Sequence, residues 1–194
     1  MRKTVPAVLM LGLALVFLPT VARADGNVNG IYGQRTLGDD SWEPAEDQEL
    51  YGVVTDFGGK NWPIHLSVGY FNSEDEGSLA SFPILGSVDL DAELSEWTVG
   101  VNKTWKKGIV RPFIGGGLSF IDADADVVSS LGELSDSDDT TGLYVEGGVY
   151  WRLGEVFNLG IHGRIVEGTD VTLFDTDGDA DYYQIGALFG FGWK

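Results

Sequence analysis

Residues 175–181 read Asp-Thr-Asp-Gly-Asp-Ala-Asp. Asp175, Asp177, Asp179 and Asp181 alternate around Gly178. A hard cation such as Ca²⁺ collects several oxygen ligands in a tight turn, and closely spaced aspartates with a glycine can supply them. The bidentate glutamate that closes an EF-hand loop is missing, so any Ca²⁺ held here would be held in another and weaker way. The plain alternative is a solvated acidic turn. A second run, Asp-Ala-Asp-Ala-Asp at 122–126, repeats the spacing without the glycine. His65-Leu66-Ser67 is the other local pattern with chemistry in it. A serine nucleophile needs a base within hydrogen-bond reach and a third group to orient that base. The i, i+2 spacing suits one face of a strand, yet the sequence identifies no acidic partner. No zinc spacing, phosphate loop or dinucleotide fingerprint occurs. An enzyme is therefore not expected, and Ca²⁺ is the one candidate cofactor. The remaining chemistry is a scatter of single charged residues inside otherwise apolar stretches: Asp56, His65, Glu96, Arg111, Glu146, Arg152, His162 and Arg164.

What positions those charges is a period of two. Eight segments alternate over roughly ten residues each, the length a tilted strand needs to cross a bilayer. They are 28–37, 48–58, 63–74, 91–105, 109–122, 140–153, 157–168 and 181–193. In 141–153, Leu143, Val145, Val149 and Trp151 make one face, and Tyr144, Glu146, Tyr150 and Arg152 the other. The same division sets Ile114, Leu118 and Phe120 against Arg111, Phe113 and Ser119, and Leu159, Ile161 and Ile165 against His162 and Arg164. One face suits lipid and the other a narrow interior. All eight scattered charges fall on the second face. Buried ions must be paired or reach water, so they are expected either to fill the interior as a salt-bridged network or to line a polar path for small ions.

The connections sort by length, and charge sorts with them. Short ones fall at 58–62, 106–108 and 154–156, and long ones at 38–47, 75–90, 123–139 and 169–180. Of the 30 acidic residues, 23 lie in or beside the long connections, where there is no Lys or Arg. Lys60, Lys106, Lys107 and Lys194 sit at the opposite end. Trp62, Trp105, Trp151 and Trp193 lie where strands meet the short turns, and Tyr51, Tyr70, Phe120, Tyr182 and Tyr183 lie at the long-loop end. Rings with a polar edge prefer the headgroup level, so two aromatic girdles around an apolar band are expected. Alternating tight turns and long loops on antiparallel strands, with such girdles, are the signature of an outer-membrane barrel. The expected fold is all-β: a single eight-stranded antiparallel transmembrane barrel with short periplasmic turns and long acidic extracellular loops.

Residues 1–24 stand apart. A basic start at Arg2 and Lys3, an apolar run over 5–18 and Ala22-Arg23-Ala24 before Asp25 read as a secretory signal peptide, leaving 25–194 as the barrel domain. The chain has no cysteine, so closure and core must stabilise it without disulfides. A formal net charge of −18 argues against nucleic-acid partners.

On these grounds the chain resembles the small eight-stranded outer-membrane barrels, the opacity-protein and OmpA/OmpW-like group. Arg111–Phe120 looks like that group's recurring strand with proline, an aromatic and spaced glycines. The C-terminal strand is similar to the signal read by the barrel-assembly machinery, met here by Gln184, Gly186, Phe189 and Phe191, although Gly192, Trp193 and Lys194 follow the final aromatic. The resemblance implies the bacterial outer membrane, contact with its lipids and lipopolysaccharide, and assembly by that machinery. Divalent cations bridging the acidic loops to lipopolysaccharide phosphates are a further expectation. The group includes adhesins, narrow channels and lipid A deacylases, some of which carry a His-x-Ser pair. The best expectation for this chain is a non-enzymatic surface protein acting in adhesion or envelope integrity, with loops that meet a surface ligand. A narrow pore is the alternative and a lipid-modifying enzyme the third.

Overall fold

The computed structural model describes residues 25–38, 47–59, 61–82, 86–106, 108–129, 132–173 and 176–193, with side chains described outside 76–91, 125–134 and 172–177. The expected signal segment therefore lies outside the described residues. Among the described residues ten strands occur in chain order: β1 Asp25–Leu37, β2 Asp47–Gly58, β3 His65–Phe82, β4 Gly86–Thr104, β5 Val110–Ser129, β6 Gly132–Leu153, β7 Phe157–Glu167, β8 Asp170–Leu173, β9 Thr176–Asp179 and β10 Tyr182–Trp193. Eight of them close a barrel in the order β1-β10-β7-β6-β5-β4-β3-β2, while β8 and β9 form a separate small hairpin. Every pairing in the barrel is antiparallel, and β10 closes it against β1 from Gly26↔Trp193 to Leu37↔Tyr182. Closure leaves no strand edge within the wall, so backbone groups pair where no water is present to satisfy them.

The wall is turned inside out relative to a soluble core. Ile114, Leu143, Val145, Leu159, Ile161, Ile165, Ile185 and Phe189 are all half or more exposed, whereas Arg35, Glu96, Arg164 and Ser119 are buried. Strict alternation produces this, as in β7, where Leu159, Ile161 and Ile165 point out and Asn158, His162 and Arg164 point in. Short turns close the lower end, where Gly108 and Gly154 adopt φ of 77° and 62°, a backbone region that side-chain-bearing residues disfavour. Trp62, Trp105, Trp151 and Phe157 stand exposed at that end, and Tyr32, Tyr51, Trp97, Phe120 and Tyr183 at the other.

Two expectations are corrected. The stretches 75–90 and 123–139 are not loops along most of their length. β3 and β4 stay paired to Phe82↔Gly86, β4 and β5 to Val88↔Ser129, and β5 and β6 to Ser129↔Gly132. The four strands rise past the rest of the barrel as one sheet. The reason is already visible in Asp-Ala-Asp-Ala-Asp, where alternation continues: Ala123 is fully buried and Asp122 and Asp124 are exposed. The second correction is Tyr182, which does not join the outer girdle. It is 3 % exposed and points inward, because adjacent residues of a strand take opposite faces and Tyr183 holds the outward one.

Candidate functional site

The interior is built in layers from the residues that alternation turns inward. At the long-loop end Leu37, Leu94, Ile121, Ala123 and Val166 form an apolar layer with Tyr144 and Tyr182. Val171 and Ala180, from the connection between β7 and β10, are buried in the same layer. The neck of that connection is clasped, since Asp181 Oδ1 accepts from the Thr169 backbone N–H (3.0 Å) and hydroxyl (2.7 Å) and Gly38 N–H donates to Asp181 O at 2.8 Å. The mouth on this side is thus roofed by side chains of the wall and of its own loop.

Below the roof lies a charged layer centred on Glu96 of β4, which is completely buried. Arg35 Nη2 of β1 donates to it at 2.6 Å, Arg164 Nη1 of β7 at 3.0 Å and Ser119 of β5 at 2.6 Å. The Tyr182 hydroxyl of β10 donates to it as well. In the ring order, β10 stands opposite β4, so one carboxylate ties both walls of the barrel together. Arg164 Nη2 also donates to Glu146 Oε2 at 2.7 Å, and His162 Nε2 lies 3.2 Å from the same oxygen. Guanidinium faces are covered too: Arg164 lies 4.0 Å from the Phe71 ring centroid and Arg35 4.0 Å from that of Tyr182. His162 stacks with Phe71 on one contact and Phe113 on another.

Beneath this layer a small cavity meets Asn29, Asp56, Asn102, Glu146, Tyr150 and His162 and offers about 10 Å³ for a water centre, room for roughly one. The lower end is polar. Arg152 donates to Asn158 Oδ1 at 2.6 Å and to Asn27 Oδ1 at 2.5 Å, and Asn158 donates to Asn29 at 2.8 Å. Gly192 makes room for this, because a Cβ there would stand 2.1 Å from Arg152 Nη2. Lys106 bridges to Asp25 at 2.5 Å at the rim.

All eight charged residues singled out from the sequence are placed inward, but not as one cluster. Glu96, Glu146, His162 and Arg164 are joined. Arg152 belongs to the lower layer, and Asp56, His65 and Arg111 form none of the salt bridges found among the described residues. Arg35, the second arginine on Glu96, is not among the eight; its strand blurs the alternation by turning Ile31 and Leu37 inward and Gln34 outward. His65 and Ser67 share the inner face. However, Nε2 of His65 lies 3.3 Å from Lys106, and Ser67 hydrogen-bonds Asp56, its cross-strand partner. The histidine–serine contact that acyl transfer needs is not among these bonds. Of the four aspartates at 175–181, Asp175 and the side chain of Asp177 lie outside the described residues, and Asp181 is turned to Thr169. Among the described residues no three acidic or histidine side chains gather around one point. Gln184 and Gly186 face inward on β10, and Phe189 and Phe191 face outward at 54 % and 52 % exposure.

A closed barrel with a filled polar interior and a greasy outer wall between two aromatic girdles has one solvent that suits it, a lipid bilayer. Solved structures with the same architecture confirm the fold. Ail, the attachment invasion locus protein of Yersinia pestis, in complex with the heparin analogue sucrose octasulfate, matches 88 % of this chain and 99 % of its own with a TM-score of 0.61 at 13 % identity. Neisserial surface protein A matches 89 % and 98 % with a TM-score of 0.59 at 14 % identity. The N-terminal β-barrel domain of Pseudomonas aeruginosa OprF matches 86 % and 97 % with a TM-score of 0.50 at 12 % identity. The fold is that of the small outer-membrane β-barrels. No family model and no curated protein sequence matches the chain.

Proposed function

We propose that this chain is a non-enzymatic surface protein of the bacterial outer membrane, acting in adhesion or envelope integrity through its acidic extracellular end. The carrying observation is the filled interior. Glu96 joins opposite walls through Arg35, Arg164 and Tyr182, and the apolar layer containing Val171 and Ala180 roofs it. A path for ions would have to break both. What remains for recognition is the outer end, where the sequence concentrates acidic residues and places no Lys or Arg. Ail was solved with a heparin analogue, a polyanion. The charge at the outer end of this chain opposes such a ligand and suits a partner with a basic surface, met faster and more tightly at low salt. Barrel-assembly machinery reading β10 through Gln184, Gly186, Phe189 and Phe191 belongs to the same proposal.

The test is single-channel recording of the detergent-refolded protein in a planar bilayer, with a heat-sensitive gel shift to show that the barrel has folded. The expected result is silence from folded protein. Discrete conductance steps would overturn the reading and move the narrow pore ahead of it.

A further inference from the structure

We propose that the cavity beneath the charged layer holds one monovalent cation of sodium's size, taken between Asp56 Oδ1, the side-chain carbonyl of Asn102 and Glu146. Asp56 of β2 is 6 % exposed and lines that cavity with Asn29, Asn102, Glu146, Tyr150 and His162. The hydroxyl of Ser67, its cross-strand partner, donates to the carboxylate. Oδ1 stays buried with no hydrogen-bond partner. An ionised carboxylate has no proton to give, so out of water it must be met by a donor or a positive charge.

Counting charges separates Asp56 from the layer above it. Arg35 and Arg164 answer Glu96 and Glu146 one for one. Asp56 forms none of the salt bridges found among the described residues. Lys106, the cation that acts on it from the rim, is held by Asp25 at 2.5 Å. Arg111, also outside the salt bridges, lies on β5, with β3 and β4 between it and β2. Glu146 meanwhile brings a second negative charge to the same lining. One positive charge is missing at this place. A water molecule can donate to Oδ1, but it leaves that charge uncancelled.

The lining selects the ion. Its polar groups are mostly oxygen donors: the carboxylates of Asp56 and Glu146, the amides of Asn29 and Asn102, and the Tyr150 hydroxyl. Asn102 turns Nδ2 toward Glu146 Oε1 at 3.5 Å, and its Oδ1, 3.2 Å from the Thr104 hydroxyl, keeps a second lone pair. Hard cations take oxygen ligands of this kind. Mg²⁺ gives up its waters reluctantly and Ca²⁺ collects six to eight oxygens, so neither suits a space for about one water. A single missing charge calls for a monovalent ion in any case. The roof and the charged layer close the way above, so the ion is a buried structural one and not a step along a path. The proposal concerns the interior alone and does not rest on the surface role.

The test is urea unfolding of the full refolded chain in a non-ionic detergent at fixed pH, with NaCl exchanged for choline chloride at constant ionic strength. Above the dissociation constant, the unfolding equilibrium constant should fall about tenfold for each tenfold rise in Na⁺. Choline, too large for the cavity, should give no such fall. Asp56→Asn keeps the shape and removes the charge, so it should fold and lose the Na⁺ dependence. Asp177→Asn/Asp179→Asn, in the acidic outer end, should keep it. Stability indifferent to Na⁺, a dependence that persists in Asp56→Asn, or one lost in the outer-end variant would overturn the proposal. Indifference to Na⁺ with stability that rises on acidification would assign the missing charge to a proton instead. If Asp56→Asn does not show the folded gel shift, Asn102→Ala takes its place, and an unchanged Na⁺ dependence there overturns the proposal. Conductance plays no part in these readouts, so this site and the function above can fail separately.

Discussion

Replacing Glu96 by glutamine is the sharpest probe of what holds the barrel. The change keeps the shape and removes one charge from a site where two guanidinium groups, at 2.6 and 3.0 Å, and two hydroxyls converge. Arg164 retains Glu146 at 2.7 Å, but Arg35 loses its only acidic partner among the described residues. Removing one member of a buried pair costs about 3–5 kcal/mol, mostly because a charge is stranded. With Arg164 still half-compensated, the expected loss is about 3 kcal/mol, and Arg35→Met should lose a similar amount. The double variant Arg35→Met/Glu96→Gln removes both charges and should lose about 3 kcal/mol in total, a coupling of about 3 kcal/mol. Urea titration of the protein in lipid vesicles, followed by its six tryptophans, measures all three. A loss under about 1 kcal/mol for Glu96→Gln, or losses that simply add, would refute the filled interior and mean that bulk water supports these charges.

Tyr182→Phe removes one hydroxyl donor to Glu96 without touching its salt bridges; the same titration should show a loss of about 1.5–3 kcal/mol, the range for hydrogen bonds to charged groups. Ile161→Arg places a charge near the middle of the lipid-facing wall, where Ile161 is 51 % exposed and pairs with Val149 and Ala187. It should cost about 2–4 kcal/mol in vesicles, whereas an inward-facing site would respond by disrupting the Glu96 layer instead.

Much of the architecture was legible because alternation does two things at once. In β7 a single pattern, Leu159-x-Ile161 against His162-x-Arg164, names a strand, a lipid face and an inner face. Where the pattern is diluted, the reading failed. β1 turns Ile31 and Leu37 inward beside Arg35, so hydrophobicity alone could not mark that arginine as an inner partner of Glu96. Composition misled in the opposite direction at 75–90 and 123–139. Acidic residues there look like loop, yet their period remains two and the strands continue. Sequence position alone puts both Tyr182 and Tyr183 at the girdle, although neighbours on one strand cannot share a face. Which inward charges meet was not legible at all, because it depends on the stagger between strands: Glu96 reaches β1, β7 and β10, none of them its neighbour in the wall.

The stagger also separates the two kinds of charge in this molecule. Inside, cations of β1 and β7 meet anions of β4 and β6, so that Arg164 bonds Glu96 and Glu146, and Arg35 bonds Glu96. Outside, one row across β2, β3 and β4 carries Glu49, Glu74 and Glu93, and the outer stretches of those strands contain no Lys or Arg. A fold selected for stability alone would mix signs there, because like charges across strands repel while opposite ones attract by a few tenths of a kcal/mol to about 1 kcal/mol each. The interior meets its charges with charges of opposite sign across the barrel, and the outer row carries a single sign.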